Sequence, residues 1–320
     1  MRWIASFPCW GEEYARRAVR GPLRSVVESM RRAGIASDGL VLINTDDWRH
    51  FREFERGCPY EVQFWRVPAE IKRGSDEQYN IFGNCHRHAI DAARPGDRVA
   101  FMCGDMTVSL DAFAAAKRIF ASGEKKLIVA AASGVSADAP LRDSAGLLTW
   151  SMANLAPMCR DLFWGTGKGL FPWCVYFQHR GGIDFRGFHL HPAFCVKREG
   201  LTFRGSTVDY DISSQFEEAE IHVARDPREM AMVARAVPGT RDSGHIRIGT
   251  LALVTWAVSM GRFALPRHFW QFAQQITLVG EPDPDNQRLA DRTLRWIDRA
   301  RRGAERRQAL EFYRAARRAA

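Results

Sequence analysis

A chain of 320 residues, 46% of them hydrophobic, can bury a large core, and one sizeable α/β domain with a smaller C-terminal extension is expected. Its 7 cysteines are odd in number and have no paired CxxC spacing, which argues against a disulfide framework and a structural zinc knuckle and fits a reducing cytoplasm. The net charge of +9 is concentrated in the arginine-crowded, lysine-free stretch 288–318, where a solvated helix face is the default reading and contact with anionic lipid the functional one.

Other classes lose weight as well. The stretch MRWIASFPCWGEEY has too short an apolar run for a signal peptide and turns acidic at once. The longest apolar stretch, 248–260, falls short of the roughly 20 residues needed to span a bilayer. No zinc finger or aromatic RNA-binding sheet motif is present, so no nucleic-acid partner is expected.

In chain order, RWIASF (2–7) reads as a first strand ended by Pro8, and Trp10-Gly11-Glu12 turns into a helix reaching about Ala33. Val19, Leu23, Val26, Val27 and Met30 give that helix a 3–4 apolar spacing, and Gly21-Pro22 should interrupt it. GLVLIN (39–44) is a second strand ending in Thr45-Asp46-Asp47, a helical piece covers 48–56, and 61–67 alternates as a third strand. Ser75 with Gln78 makes a capping box for a helix through Ala93, whose inner stripe is Tyr79, Phe82, His86 and Ala89 or Ile90.

The apolar run 98–103 is the organising strand. It follows the turn Arg94-Pro95-Gly96 and stops abruptly at Gly104-Asp105. Ser109 is then the expected N-cap of a helix over 110–122, and KLIVAAA (126–132) a fifth strand. Such alternation argues for a parallel sheet covered by helices on both faces. Right-handed crossovers place the strand ends carrying Trp10, Asp46 and Asp105 on one edge, where open α/β sheets bind ligands. A carboxylate there can hold a divalent cation against phosphate oxygens. Neither GxGxxG nor GxxxxGK[ST] follows the first strand, which removes most of the weight of the dehydrogenase and P-loop readings.

Beyond Gly134 the pattern loosens. Residues 147–163 read as helix and WGTGKGLFPW (164–173) as a glycine-rich loop that could act as a lid. FRGFHLHPAFCVK (185–197) reads as one strand, on which His189 and His191 share a face and could share a metal. Asp209 and Asp211 share a face if extended and could serve as general base or as metal ligands; the plainer reading is a turn with two solvated acids. EIHVA (220–224) is a short strand, and the remainder is expected to be mostly helical with a break at 276–284. Arg292, Arg295, Arg299 and Arg302 recur there at helical spacing. Within Asn84-Cys85-His86-Arg87-His88, a packed, hydrogen-bonded helix is favoured over a Cys-His catalytic pair.

The first strand with Trp10-Gly11-Glu12, the helix into Ala93 and the strand ending in Asp105 resemble the nucleotide-sugar half of GT-A-fold glycosyltransferases. DEQY (76–79), NCHRHAI (84–90), FHLHP (188–192) and STVDYD (206–211) are similar to elements of a bacterial glycosyltransferase-like group. The resemblance covers about 2–233. It implies a mostly parallel nucleotide-sugar-binding catalytic domain over 1–233 and a helical, basic extension over 234–320. It further implies a site with Trp10 and Asp46 near the nucleobase, joined by Gln78, His86 and Asp105. Metal-dependent members carry Asp-x-Asp where this chain has Cys103-Gly104-Asp105. Asp105 would then face a Mn or Mg ion with His191 or His189 as the second ligand.

Asp209 is the expected base toward the acceptor hydroxyl, with Asp211 as its alternative. The expected partners are a nucleotide-sugar donor and a glycan, lipid-linked or small-molecule acceptor. The expected location is the cytoplasm, with peripheral contact at the inner membrane face through the arginine-rich segment. Two other readings compete. A nucleotidyltransferase would need a basic first loop, and PCWGEEY carries no basic residue. A non-catalytic binding or docking protein on the same fold would account for the incomplete Asp-x-Asp.

Overall fold

The computed structural model describes residues 1–66, 77–130, 132–154, 174–179, 182–187, 191–203, 211–235 and 274–279, with the single positions 295, 299, 302, 303, 306 and 314. The chain forms two units, one of residues 1–157 and 190–240 and the other of 158–189 and 241–320.

The first unit begins with β1 (Trp3–Pro8), buried along its whole length. Pro8 is the strand's last residue rather than the one after it, tolerated because a terminal position surrenders little of the ladder. Two helices follow, α1 (Glu12–Arg20) and α2 (Pro22–Arg32), broken at Gly21-Pro22 as the sequence predicts. Pro22 opens α2 at the position where its missing N–H would have had no partner. Next come β2 (Leu40–Thr45), a 3-10 turn (Trp48–Phe51), α3 (Arg52–Gly57), β3 (Glu61–Arg66) and α4 (Glu77–Ala92). Ser75 lies outside the described residues.

β4 (Arg98–Phe101), β5 (Met106–Val108), α5 (Ala112–Ala121), β6 (Leu127–Ala130), β7 (Ala132–Val135) and α6 (Ser144–Ala153) continue the unit. It is completed by β10 (His191–Val196), β11 (Ile221–Val223) and β12 (Met232–Arg235). The expected domain boundary after residue 233 falls inside β12.

The main sheet has seven strands in the order β11-β6-β10-β4-β1-β2-β3. β1 pairs parallel with β2 and β4, β2 with β3, and β11 with β6. Only β10 runs antiparallel, between β4 and β6. The result is a mixed α/β fold with a mostly parallel sheet and flanking helices, and β4 sits at its centre.

A second sheet, β5-β12-β7, was not expected: β12 runs antiparallel to β5 and parallel to β7. It divides the single strand expected over 126–132, whose last residue belongs to β7. The aromatic centre of the core is Trp3, Phe113 and Phe194, with centroids 5.4, 6.1 and 4.9 Å apart. Edge-on and tilted geometries of this kind suit ring quadrupoles.

Ser109 does not cap α5. Its hydroxyl instead accepts from the Ala231 N–H (3.3 Å) and the Ser144 hydroxyl (2.9 Å), tying β5's exit to β12 and α6. The open amide of Phe113 in α5's first turn donates to Ser29 Oγ of α2 (3.1 Å), so a hydroxyl from another helix does the capping.

In the second unit, β8 (Cys174–His179), β9 (Gly182–Gly187) and β13 (Gln274–Val279) form an antiparallel sheet in the order β13-β9-β8. The expected break at 276–284 thus overlaps a strand. Arg295, Arg299, Arg302, Arg306 and Arg314 are helical and exposed. No helix among the described residues is long and apolar enough to cross a membrane.

Candidate functional site

Three parallel strand ends meet at the carboxyl edge of the main sheet. The Cys9 N–H donates to the Asn44 carbonyl (2.9 Å), and the Gly104 N–H donates to the Pro8 carbonyl (3.0 Å). These bonds carry the pairing of β1 with β2 and with β4 past the formal strand ends. Gly104 is required there, because a Cβ would lie 2.9 Å from Cys9 Sγ and 3.3 Å from the Pro8 carbonyl oxygen. The Asp46 carboxylate accepts the Gly11 N–H (3.3 Å), which holds the turn into α1 where Gly11 has φ 83°. Burial, then the nearby Asp105 and Asp46 carboxylates, push the Cys9 thiol up to about 12. Both acids therefore act on one buried sulfur, and that sulfur is an inert thiol.

Burial raises the Asp105 pKa above the ordinary carboxylate range, while its own backbone N–H and the charge of His191 pull it back. His191 is the first residue of β10, in register with Ala130 of β6. Inserting β10 beside β4 thus brings a downstream imidazole within electrostatic reach of Asp105.

The continuous strand expected over 185–197 is two strands, β9 and β10, belonging to different sheets. The shared-face argument for His189 and His191 therefore no longer applies, and His189 lies outside the described residues. Among the described residues no three His, Cys, Asp or Glu side chains group as metal ligands. Asp105 and His191 offer two donors.

Beyond β2 and β3 lies a cleft of about 810 Å³ including its open mouth, lined by Thr45, Asp46, Trp48, Phe64, Trp65 and Arg66 among others. Trp48 is 45% exposed, with the Arg52 guanidinium 4.2 Å from its ring centroid. Trp65 stacks on His88 at 4.5 Å, and His88 Nδ1 lies 3.4 Å from Asn44 Oδ1. Burial lowers the His88 pKa. Sequence reading passed over Trp48 and Trp65. The usable signal was a tryptophan shortly after the second strand and another near the end of the third, Trp48 and Trp65.

The other expected residues are placed as follows. Trp10 packs on Phe82 of α4, centroids 4.7 Å apart. His86, expected at the nucleotide-sugar site, is in the core instead. It is 4% exposed, with Nδ1 2.9 Å from Ser6 Oγ and its ring edge-on to Phe101. Its position on the inner stripe of α4 points it at β1 and β4. Cys85 is buried beside Trp10 and Trp65, and burial raises its thiol pKa. Gln78 lies on α4, but its side chain is outside the description. Asp209 also lies outside the described residues. Asp211 is helical, and its carbonyl accepts from Gln215 Nε2 (3.0 Å), so it is not in an extended segment.

No protein-family model matches the chain, and no curated protein matches it. Similar solved structures include S. aureus TarS 1-349 in complex with UDP-GlcNAc (9% identity, 90% of this chain and 69% of that one, TM-score 0.46). GalNAc-T7 with UDP, GalNAc and Mn2+ is another (11%, 81% and 48%, 0.40). In the match to TarS 1-349 in complex with UDP, the alignment spans 39% of that chain and 45% of this one (12%, 0.32). The fold class rests on the sheet itself.

Proposed function

We propose that the chain is a glycosyltransferase that moves a sugar from a nucleotide-sugar donor to an acceptor hydroxyl. The observation that supports the reading is the Asp105 carboxyl just past the end of the central strand, with the end of β1 on one side and on the other β10, whose first residue, His191, acts on it by its charge. Ligands of open α/β sheets sit at that edge.

In this reading the nucleoside occupies the cleft of Asp46, Trp48, Phe64 and Trp65, the tryptophan faces taking the base and the Asp46 carboxylate accepting from its N–H or hydroxyl groups. Asp105 and His191 would hold a divalent cation, which supplies charge neutralisation for the leaving diphosphate. The acceptor oxygen attacks the anomeric carbon, and the bond from that carbon to the diphosphate oxygen breaks with its electron pair leaving on the nucleotide. The acceptor proton passes to a carboxylate, for which Asp209 is proposed, with Asp211 as the alternative. The basic helical segment would place the enzyme against an anionic membrane surface.

A thermal-shift panel of UDP, GDP, CDP, ADP and their sugars, with and without Mn²⁺ or Mg²⁺, tests the reading. A ligand bound only by the native state raises the melting temperature by mass action. One nucleotide should shift it, with metal, and the metal-dependent part should vanish in Asp105→Asn. No shift with any of the panel would overturn the donor site.

A further inference from the structure

Besides its inner stripe, α4 carries Phe82, Cys85 and His88, each three residues from the last and so neighbours on the helix surface. Phe82 packs on Trp10 and His88 on Trp65, while the buried Cys85 has both tryptophans packed against it. Each tryptophan at this edge therefore rests on a ring of the same helix.

The two rings differ in kind. Phe82 is apolar, whereas His88 places Nδ1 3.4 Å from Oδ1 of Asn44, a fully buried side chain near the end of β2 and in register with Trp65 of β3. One imidazole thus serves two neighbouring strands. Its face lies on Trp65, with 4.5 Å between centroids and 26° between planes, and its edge meets Asn44. Burial lowers the His88 pKa and the Asp91 carboxylate of the same helix raises it; β2 and β3 meet the ring with the uncharged Asn44 and Trp65. The ring is held neutral at neutral pH and stacks as an aromatic.

β3 is an edge strand, so no further strand flanks Trp65. A large side chain in such a place keeps its rotamer freedom unless something packs on its ring. Trp65 lines the cleft beside β2 and β3, and His88 stands behind it without lining the cleft itself.

We propose that His88 is a positioning residue for the nucleoside cleft: its ring fixes Trp65 with the other face toward the ligand, and binding depends on that ring and not on the imidazole nitrogens. This rests on the nucleoside reading of the cleft. The contact with Asn44 serves stability instead.

Two variants take the contacts apart. His88→Phe keeps a ring on Trp65 and removes the partner of Asn44. His88→Gln keeps a polar group for Asn44 and removes the ring. Titration calorimetry with UDP, GDP, CDP and ADP reads affinity, and urea unfolding reads stability. His88→Phe should unfold at lower urea than the wild type, yet bind within about twofold of it, because stacking on Trp65 is kept. His88→Gln should bind about fivefold or more weakly. A merely structural histidine would make affinity follow stability in both. Wild-type affinity in His88→Gln, or an equal loss in the two variants, would overturn the proposal.

Labelling with 5-fluorotryptophan gives a readout without nucleotide. The Trp65 fluorine resonance, assigned by its loss in Trp65→Phe, should titrate in the wild type below pH about 6.5, the ordinary imidazole value. That titration should vanish in both variants, and the line should broaden in His88→Gln alone. If none of the four nucleotides binds the wild type, the donor reading is overturned, and the resonance decides the positioning by itself: an unaltered line in His88→Gln would overturn it, a broadened one would support it.

Discussion

His86→Leu separates a core histidine from a ligand-binding one. The imidazole is buried between α4 and β1, bonded to Ser6 Oγ at 2.9 Å and edge-on to Phe101 at 5.3 Å. Leucine keeps much of the volume but leaves the fully buried Ser6 hydroxyl without this partner. An unsatisfied buried hydroxyl costs about 1–3 kcal/mol, and the lost ring contact adds about 0.5–1.5 kcal/mol. A loss of roughly 2–4 kcal/mol is a large share of a typical domain stability of about 5–15 kcal/mol. Adding Ser6→Ala to His86→Leu removes both polar partners, which is nearly neutral for a buried pair. The double variant should therefore be more stable than His86→Leu alone, with a coupling of about 1–3 kcal/mol. Urea unfolding followed by tryptophan fluorescence measures all three. If His86→Leu unfolds at the wild-type urea concentration while losing nucleotide affinity, the imidazole faces a ligand and the core assignment fails.

Three further outcomes are expected. Burial raises the folded-state pKa of Asp105 above its unfolded value, so between the two values the native state binds more protons and stability falls as pH rises. Asp105→Asn should thus stabilise the chain at neutral pH, and that gain should vanish as pH drops below about 3.9, the ordinary aspartate value; equal melting curves at neutral pH would refute the burial. Gly104→Ala forces a Cβ onto Cys9 Sγ and the Pro8 carbonyl and should cost about 1–3 kcal/mol by chemical denaturation. Part of that should return when Cys9→Ala is added. Trp48→Ala should weaken nucleotide binding by about tenfold or more if a base stacks there, with little change in melting temperature because the ring is half exposed; unchanged affinity would move the base elsewhere.

Much of the first unit was legible locally. GLVLIN and the run into Phe101 are continuous apolar segments, and continuous segments suit strands buried on both faces. Gly21-Pro22 marked the helix break, because proline cannot continue a hydrogen-bonded turn but can open one. Grouping Trp10, Asp46 and Asp105 at one edge followed from parallel order alone, and the bonds among Cys9, Asn44, Pro8 and Gly104 realise that edge. The shared face expected for His189 and His191 rested on alternation along a single strand and does not apply; the charge of His191 acts on Asp105 because β10 inserts antiparallel beside β4.

What the sequence by itself determined, then, is element type and the chemistry at element ends, since period and punctuation act over a few residues. Pairing across about a hundred residues was decided only in the tertiary structure. Ser109 has a good cap chemistry but spends its hydroxyl on Ala231 and Ser144, and α5 takes its cap from Ser29. β5, β7 and β12 are too short to declare themselves, and only their mutual hydrogen bonds make them a sheet. Arg17 and Arg235 look like ordinary surface arginines in the sequence. Arg17 Nη1 and Arg235 Nε are buried without a hydrogen-bond partner among the described residues, and burial, which local pattern does not encode, turns a solvated charge into a group in need of a partner.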